Sequence, residues 1–592
     1  MSMLARSSRG AQPARESVLA RMRLGAVPAW AITAAFGVAY VLVAPPSADL
    51  AAAGYRSELL ARAGFTVWDN GWYGGHHLPA YSLLAPALGA LIGVQLLAAL
   101  SMTLATALFT KLLDGAFSAR ATRVASLWFA FGAAIGLLAN RVPFDLGLAI
   151  GIGALVAARS STRRRGVSSS RWRRAWLTIG LAILCTLASP IAGAFLALAA
   201  IAWALAAWSS TEGPAQHRFA LALAAAALVP VAVLIVAFPE GGPQPFVASA
   251  FYPTLAGVLL IAALMQPEQR VLRTGAVLYA AALLAAYLIP TAVGGNVDRL
   301  GALMAGPIAA ACALTARSPQ GRLASASAAG MPTTSTQDAS RRSRLRGSWR
   351  VWALIAFAPL LTYWQVNAPI GNYAAAASDP AAHASFYTPL LAELRSLGVA
   401  DSPHPTRIEV VPTIDHAEAR WVAPHVMLAR GWERQLDVDR DGLFYRTPLR
   451  KDEYEDWLSY AAVSYVALPN APLDYSGTAE GRLVQSVPPY LREVWHSSRW
   501  RLFEVLGATA LAPPPSAVTQ LDSDSFTLWA PTAGTYDVRV RFTQYWALSG
   551  GHGCVRRAPG GWTDVQTRGG GSVHVVIDFT LARVFDHGPR CR

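Results

Sequence analysis

Apolar positions are unevenly spread along the 592-residue chain: long apolar runs crowd residues 27–366, and from 367 onward charged, aromatic and turn residues are mixed. A helix needs about 20 largely apolar residues to cross a bilayer core. The first run, Val27 to Ala44, closes on Pro45-Pro46, which reads as an uncleaved first span rather than a secretory signal. Ten further runs, at 93–113, 122–139, 143–158, 175–189, 191–207, 218–237, 247–265, 274–290, 299–316 and 351–366, complete eleven predicted spans. The fold class expected is an α-helical multispan membrane domain followed by an exported mixed α/β and β-sandwich domain.

The segments between the runs carry their own patterns. Asp49 to Arg62 spaces Leu50, Ala53, Leu59 and Leu60 at helical intervals, predicting an amphipathic helix on the outer membrane surface. In the exported part, Arg407–Val411 and Ser464–Leu468 alternate as strands, and Asp452–Tyr460 places Tyr454, Trp457 and Leu458 on one helical face. From about Asp524 the pattern becomes strands and Gly-rich turns: 525–529, 535–542 and 573–579, as in a small antiparallel sandwich. Trp546 and Trp562 fit either the core of that module or a glycan surface. The expected division is a basic N-terminus at 1–26, the membrane domain at 27–366 with its long outer loop at 45–92, an α/β region at 367–520 and the sandwich-like module at 521–592.

Charge then orients the chain. The net charge is +15, and all but Lys111 and Lys451 of the 50 basic residues are arginine. The segments that an inside N-terminus places in the cytoplasm together carry +20, leaving −5 for everything else. That is the positive-inside pattern, and it excludes nucleic acid as the partner of these arginines, which lack interleaved aromatics. The same count puts the C-terminal region outside, on a multi-pass protein of the cytoplasmic membrane. Two Ser/Ala/Thr-rich loops, Gly166–Ser170 and Ala324–Ser340, fall inside, and disorder is expected for the second. Cys554 and Cys591 then lie in an oxidising compartment and are expected to pair, with two free thiols the alternative; Cys185 and Cys312 lie in apolar spans.

Candidate chemistry gathers at the outer ends of the spans. The loop 45–92 holds Trp68-Asp69-Asn70-Gly71-Trp72-Tyr73-Gly74-Gly75-His76-His77-Leu78-Pro79-Ala80-Tyr81, in which Asp69, His76 and His77 have no place in a simple interfacial aromatic belt. Arg141 and Asp145, and Asp298 and Arg299, sit at other outer ends, where ionisable groups commonly face a cavity. Headgroup snorkelling and local ion pairing are the competing readings.

An outward first span, a carboxylate at Asp49 just beyond it, a helical first outer loop containing Tyr55-Arg56, Gly64, Trp68 and Gly75, a Leu78-Pro79-Ala80-Tyr81 entry to the second span and an exported C-terminal domain together resemble the GT-C superfamily of integral-membrane glycosyltransferases. Scarce lysine and abundant Ala and Gly point further to the actinobacterial type, in which arabinosyl- and mannosyltransferases build the envelope. The resemblance implies transfer of a sugar, usually with inversion, from a polyprenyl-phosphate donor to an envelope glycan or glycolipid on the outer side of the membrane. It implies Asp49 as general base. Arg141 and Arg299, with Arg56 third, are the expected phosphate ligands, and Trp68, Asp69, Trp72, His76, His77 and Tyr81 the expected sugar or acceptor contacts. The loop 45–92 lacks the Asp-Glu or Asp-Asp doublet of many members, so no cofactor is assigned, and a divalent cation, held by Asp69, His76 and His77, stays open. A secondary transporter and a non-catalytic envelope-assembly protein are the alternative classes; the first would need an internal repeat and a midplane site.

Overall fold

The computed structural model describes residues 27–163, 168–208, 213–315 and 335–592. The basic segment 1–26 lies outside the described residues, as do Gly166–Val167 and Ala324–Thr334 of the two Ser-rich loops. The remaining residues of those loops are helical, opening Ser168–Ala188 and Ser335–Ala377, so Ser335–Ser340 departs from the expected disorder.

Every predicted span is a helix, but they are not equivalent. Among the described residues eight helices are long and apolar enough to cross a membrane, and nine if Ala29–Val43 and Ala48–Ala63, bent by 75°, form one broken span. The other three predicted spans are helices too, but Ala29–Val43 alone has 15 residues and Ala248–Leu264 has 17, and Ser168–Ala188 carries Arg171, Arg173 and Arg174 in its first turns. The chain is a multi-pass membrane protein. Its Ala and Gly content lets helices approach closely; a Cβ added at Gly147 would lie 2.7 Å from that of Ala192.

The C-terminal region has two sheet systems. In the first, Met427–Leu428, Arg407–Val410, Val463–Pro469, Trp500–Val505 and Leu491–His496 lie side by side in that order. The first three run parallel and the last two are antiparallel additions. Lys451–Tyr460 packs Tyr454, Trp457 and Leu458 against this sheet's core. The second is a sandwich of two four-stranded sheets, beginning at Ala517, with Phe526, Leu528, Val538, Val565 and Val575 between them. Trp546 and Trp562 are each 1% exposed; Trp546 belongs to the sandwich interior, and Trp562 is buried where the sandwich meets Arg407 and Tyr460 of the α/β region. Cys554 and Cys591 face each other on neighbouring strands and are joined.

The helix Ala48–Ala63 does not lie free on the membrane surface. Leu50 to Ser57 and Leu59 are buried, because the C-terminal region covers the side that would otherwise meet water. Gly54 makes the close approach feasible: a Cβ there would stand 2.7 Å from the Arg420 guanidinium carbon. Arg420 in turn reaches Glu58 at 2.6 Å.

Candidate active site at the outer ends of the helices

The first-turn region of three helices meets at one place. Asp49 lies in the first turn of Ala48–Ala63, Asp145 in that of Val142–Arg163 and Asp298 in that of Asp298–Leu314. Arg141 immediately precedes the second helix and Arg299 is the second residue of the third. Local chemistry fixes the turn before Arg141. Asn140 adopts a left-handed conformation, φ 54°, which Asn tolerates better than most side chains. Its amide accepts from Tyr40 Oη and donates to the Pro45 carbonyl at 3.3 Å, tying the turn to the end of the first helix.

Asp49 Oδ2 then lies 3.8 Å from Arg141 Nε, with both side chains about a quarter exposed, at 27% and 26%. Arg141 Nε has no hydrogen-bond partner among the described residues. Arg299 interacts electrostatically with Arg141, Asp49, Tyr81 and Asp145, and its guanidinium stands 5.7 Å from the Phe144 ring centre. Asp145 is buried against the same charges, with Arg141, Arg299 and Asp49 as its electrostatic neighbours. Asp298, by contrast, accepts from Thr254 at 2.6 Å and from Trp364 at 2.9 Å, so it holds helices together.

Tyr81 is half-buried beside this group. Burial and the Asp49 carboxylate push its phenol up to about 12. Arg56 stacks over its ring at 4.1 Å and over Trp72 at 5.2 Å. The Arg56 guanidinium is 3% exposed and bonded to Glu433 at 2.6 Å, so the third expected phosphate ligand is paired with an acid from the C-terminal region. Burial raises the Glu433 carboxyl above its ordinary value, against the pull of Arg56.

The remaining expected contacts form a buried hub. Trp68–Asp69 and His76–His77 pair as a two-residue antiparallel hairpin, turned by Tyr73, Gly74 and Gly75 at positive φ. Trp68, Asp69, Trp72, His76 and His77 are all 5% exposed or less. Asp69 accepts from Tyr55 Oη and from the Gly71 amide, each at 3.0 Å, and burial pushes its carboxyl up to about 6. His76 stacks on Trp72 at 5.4 Å; burial, then Arg56, push its imidazole down to about 3, so it is neutral. His77 is gripped between Glu240 at 2.8 Å and Thr543 of the sandwich at 2.9 Å. Burial opposes the Glu240 charge, but Arg440 at 3.0 Å and the His77 bond outweigh it and hold Glu240 down at about 2. In this arrangement the hairpin packs among protein groups and clamps the C-terminal region to the loop 45–92. Asp49, Arg141, Arg299 and Tyr81 are brought together; Trp68, Asp69, Trp72, His76 and His77 are not brought to them. No group of three or more His, Cys, Asp or Glu among the described residues is arranged to hold a metal ion.

Below the arginines lies an apolar cavity of about 290 Å³. Phe144, Leu300 and Gly301 line it next to Arg299, Ile308 lines it further along the Leu300 helix, and Leu112 and Met265 line it from two neighbouring helices. Sequence reasoning missed this cavity and also Glu433, Glu240, Arg420 and Arg440, whose partners lie in distant parts of the chain.

No protein-family model matches the chain, and no curated protein does. Solved structures similar to it include ArnT from Cupriavidus metallidurans in the apo state, at 13% identity over 79% of this chain and 96% of that one, with a TM-score of 0.45. The same protein bound to undecaprenyl phosphate gives 14% identity over 81% and 98%, with a TM-score of 0.46. The arabinofuranosyltransferase AftD from Mycobacteria gives 14% identity over 88% of this chain but only 43% of its own, with a TM-score of 0.46. At these scores the likeness decides no activity, which rests on the residues themselves.

Proposed function

We propose that the chain is a membrane glycosyltransferase that moves a sugar from a polyprenyl-phosphate donor to an envelope glycan or glycolipid on the outer side of the cytoplasmic membrane. One observation supports it above the rest: a carboxylate about a quarter exposed and two guanidinium groups, at the positive ends of three helices, stand over an apolar intramembrane cavity. Helix N-termini and arginine forks both favour phosphate, and the cavity suits a prenyl tail. The donor has that combination of headgroup and tail.

In the reading we favour, the acceptor hydroxyl oxygen attacks the anomeric carbon as the bond from that carbon to the phosphate oxygen breaks. Asp49 takes the hydroxyl proton, and the bonding electron pair leaves on the phosphate oxygen, where Arg141 and Arg299 meet the growing charge. Attack from the face opposite the phosphate inverts the anomeric configuration. The Asp49–Arg141 separation of 3.8 Å is loose enough for a phosphate to take over the arginine and free the carboxylate.

The test is binding of a polyprenyl-phosphate sugar to purified protein. Arg141→Lys and Arg299→Lys keep the charge but lose the fork, and the alanine variants lose both, so affinity should fall in the order wild type, Lys, Ala. A wild type that does not bind the donor, and instead carries a small solute across liposomes, overturns the proposal.

A further inference from the structure

A second cavity, of about 830 Å³, lies where the outer-loop helix, the hairpin, the α/β sheet and the sandwich meet. Its volume is within the range of ligand sites, roughly 300–1,000 Å³, and such sites favour domain junctions. Tyr55, Leu59 and Arg62 form one wall, stretches of 399–406 and 423–427 a second, and 519–525 a third. The walls are tied to one another through the hairpin: the Asn70 amide donates to Ser523 O at 2.8 Å, and the Leu428 amide to Gly71 O at 3.0 Å.

The lining selects a ligand class. Asp401, Asp522 and Asp524 reach it with Asp69, against the single arginine Arg62, so a phosphate or other anion is disfavoured. Asp401 is held in place by Arg395 at 2.7 Å and His425 at 2.9 Å, and Asp522 accepts from Gln520 at 2.8 Å. These are fixed acceptors rather than free charges. Around them Ser402, Thr406, Thr519 and Ser523 add hydroxyls that both donate and accept. A surface of oriented carboxylates and hydroxyls, without a cluster able to hold a metal ion, matches the vicinal hydroxyls of a neutral sugar chain.

One helix contributes both to the wall of this cleft and to the candidate active site. Asp49 and Arg62 stand at opposite ends of Ala48–Ala63, about 20 Å apart at 1.5 Å per residue. We infer that the cleft is a distal subsite for a neutral glycan, several sugar units removed from the reacting hydroxyl. The inference rests on the glycosyltransferase reading for its role in catalysis, and it makes the acceptor a polymer rather than a single sugar.

Two variants test it in the full-length protein: Asp524→Asn, which weakens an acceptor in the wall, and Thr519→Trp, which fills space from an exposed position. With a long neutral oligosaccharide acceptor, KM should rise about tenfold, the cost of one good contact, while kcat is unchanged. A monosaccharide acceptor and donor affinity should be indifferent to both changes. Equal effects on long and short acceptors, or none on either, overturn the inference while leaving the transfer reaction standing. Direct binding of the oligosaccharide to Asp49→Asn protein gives the converse separation, since it needs no turnover: it should persist there and be lost in the added presence of Thr519→Trp. Binding of a cationic oligomer in preference to the neutral glycan would also overturn it.

Discussion

Asp69→Asn isolates the hairpin hub from the reaction. Asp69 is 1% exposed, and burial pushes its carboxyl from 3.8 up to about 6. A carboxyl raised in the folded state contributes stability that is fully present below its unfolded pKa and is lost as pH rises through the folded one. The window is therefore about pH 3.8 to 6, and a shift near two units at about 1.4 kcal/mol each amounts to about 3 kcal/mol. Asparagine resembles the protonated form: its carbonyl oxygen can accept from the Gly71 amide, and its NH₂ can donate to Tyr55 Oη. Wild type and variant should match in stability below pH 4, and the variant should be the more stable by up to about 3 kcal/mol at pH 7.5. Thermal unfolding of detergent-purified protein across pH 4 to 7.5, read as the difference between the two proteins, removes the contribution of other titrating groups. A difference that stays flat with pH, or a variant less stable at pH 7.5, refutes the account of Asp69 as a buried acid.

Three further outcomes follow from other contacts. Glu240 is depressed from 4.5 to about 2, so its contribution is present above pH 4.5 and is lost as pH falls toward 2; wild type should exceed Glu240→Gln by about 3 kcal/mol at pH 6, a margin that narrows steadily in acid-unfolding curves. The Cys554–Cys591 link closes 37 residues of separation, so reduction or Cys591→Ser should cost about 4 kcal/mol on the chain-entropy model, measured by unfolding with and without reductant. With native cysteines replaced, an impermeant thiol reagent on intact cells should mark a cysteine at exposed Ser498 and not one at Ser327; labelling at Ser327 would invert the topology.

The helices were legible because a bilayer demands one apolar run per crossing, and the strands from Arg407 and Ser525 because alternation survives when one face is buried. Asp49, Arg141 and Arg299 could be singled out for a related reason: a charge at the outer end of an apolar run is costly without a partner. The role of the Trp68–Tyr81 segment was not legible. Aromatic and histidine side chains among glycines look alike whether they line a sugar site or form the centre of a joint. The difference lies in Thr543, Glu433 and Ala419, which are more than 340 residues away and close over the hairpin. The Arg56 ion pair was not legible either, since nothing near it in the chain announces Glu433. The helix Ala48–Ala63 looked amphipathic toward a membrane surface because its second cover, the C-terminal region, is invisible to a local pattern.

The most direct test of the central claim is Asp49→Asn assayed for sugar transfer and, separately, for donor binding. The substitution keeps the side chain's size and removes the proton acceptor, so turnover should fall by about 10²-fold or more with donor affinity nearly unchanged, while Asp69→Asn remains active. Turnover near wild type in Asp49→Asn, with transfer abolished by Asp69→Asn, would contradict the assignment of the base and place the chemistry at the hairpin instead.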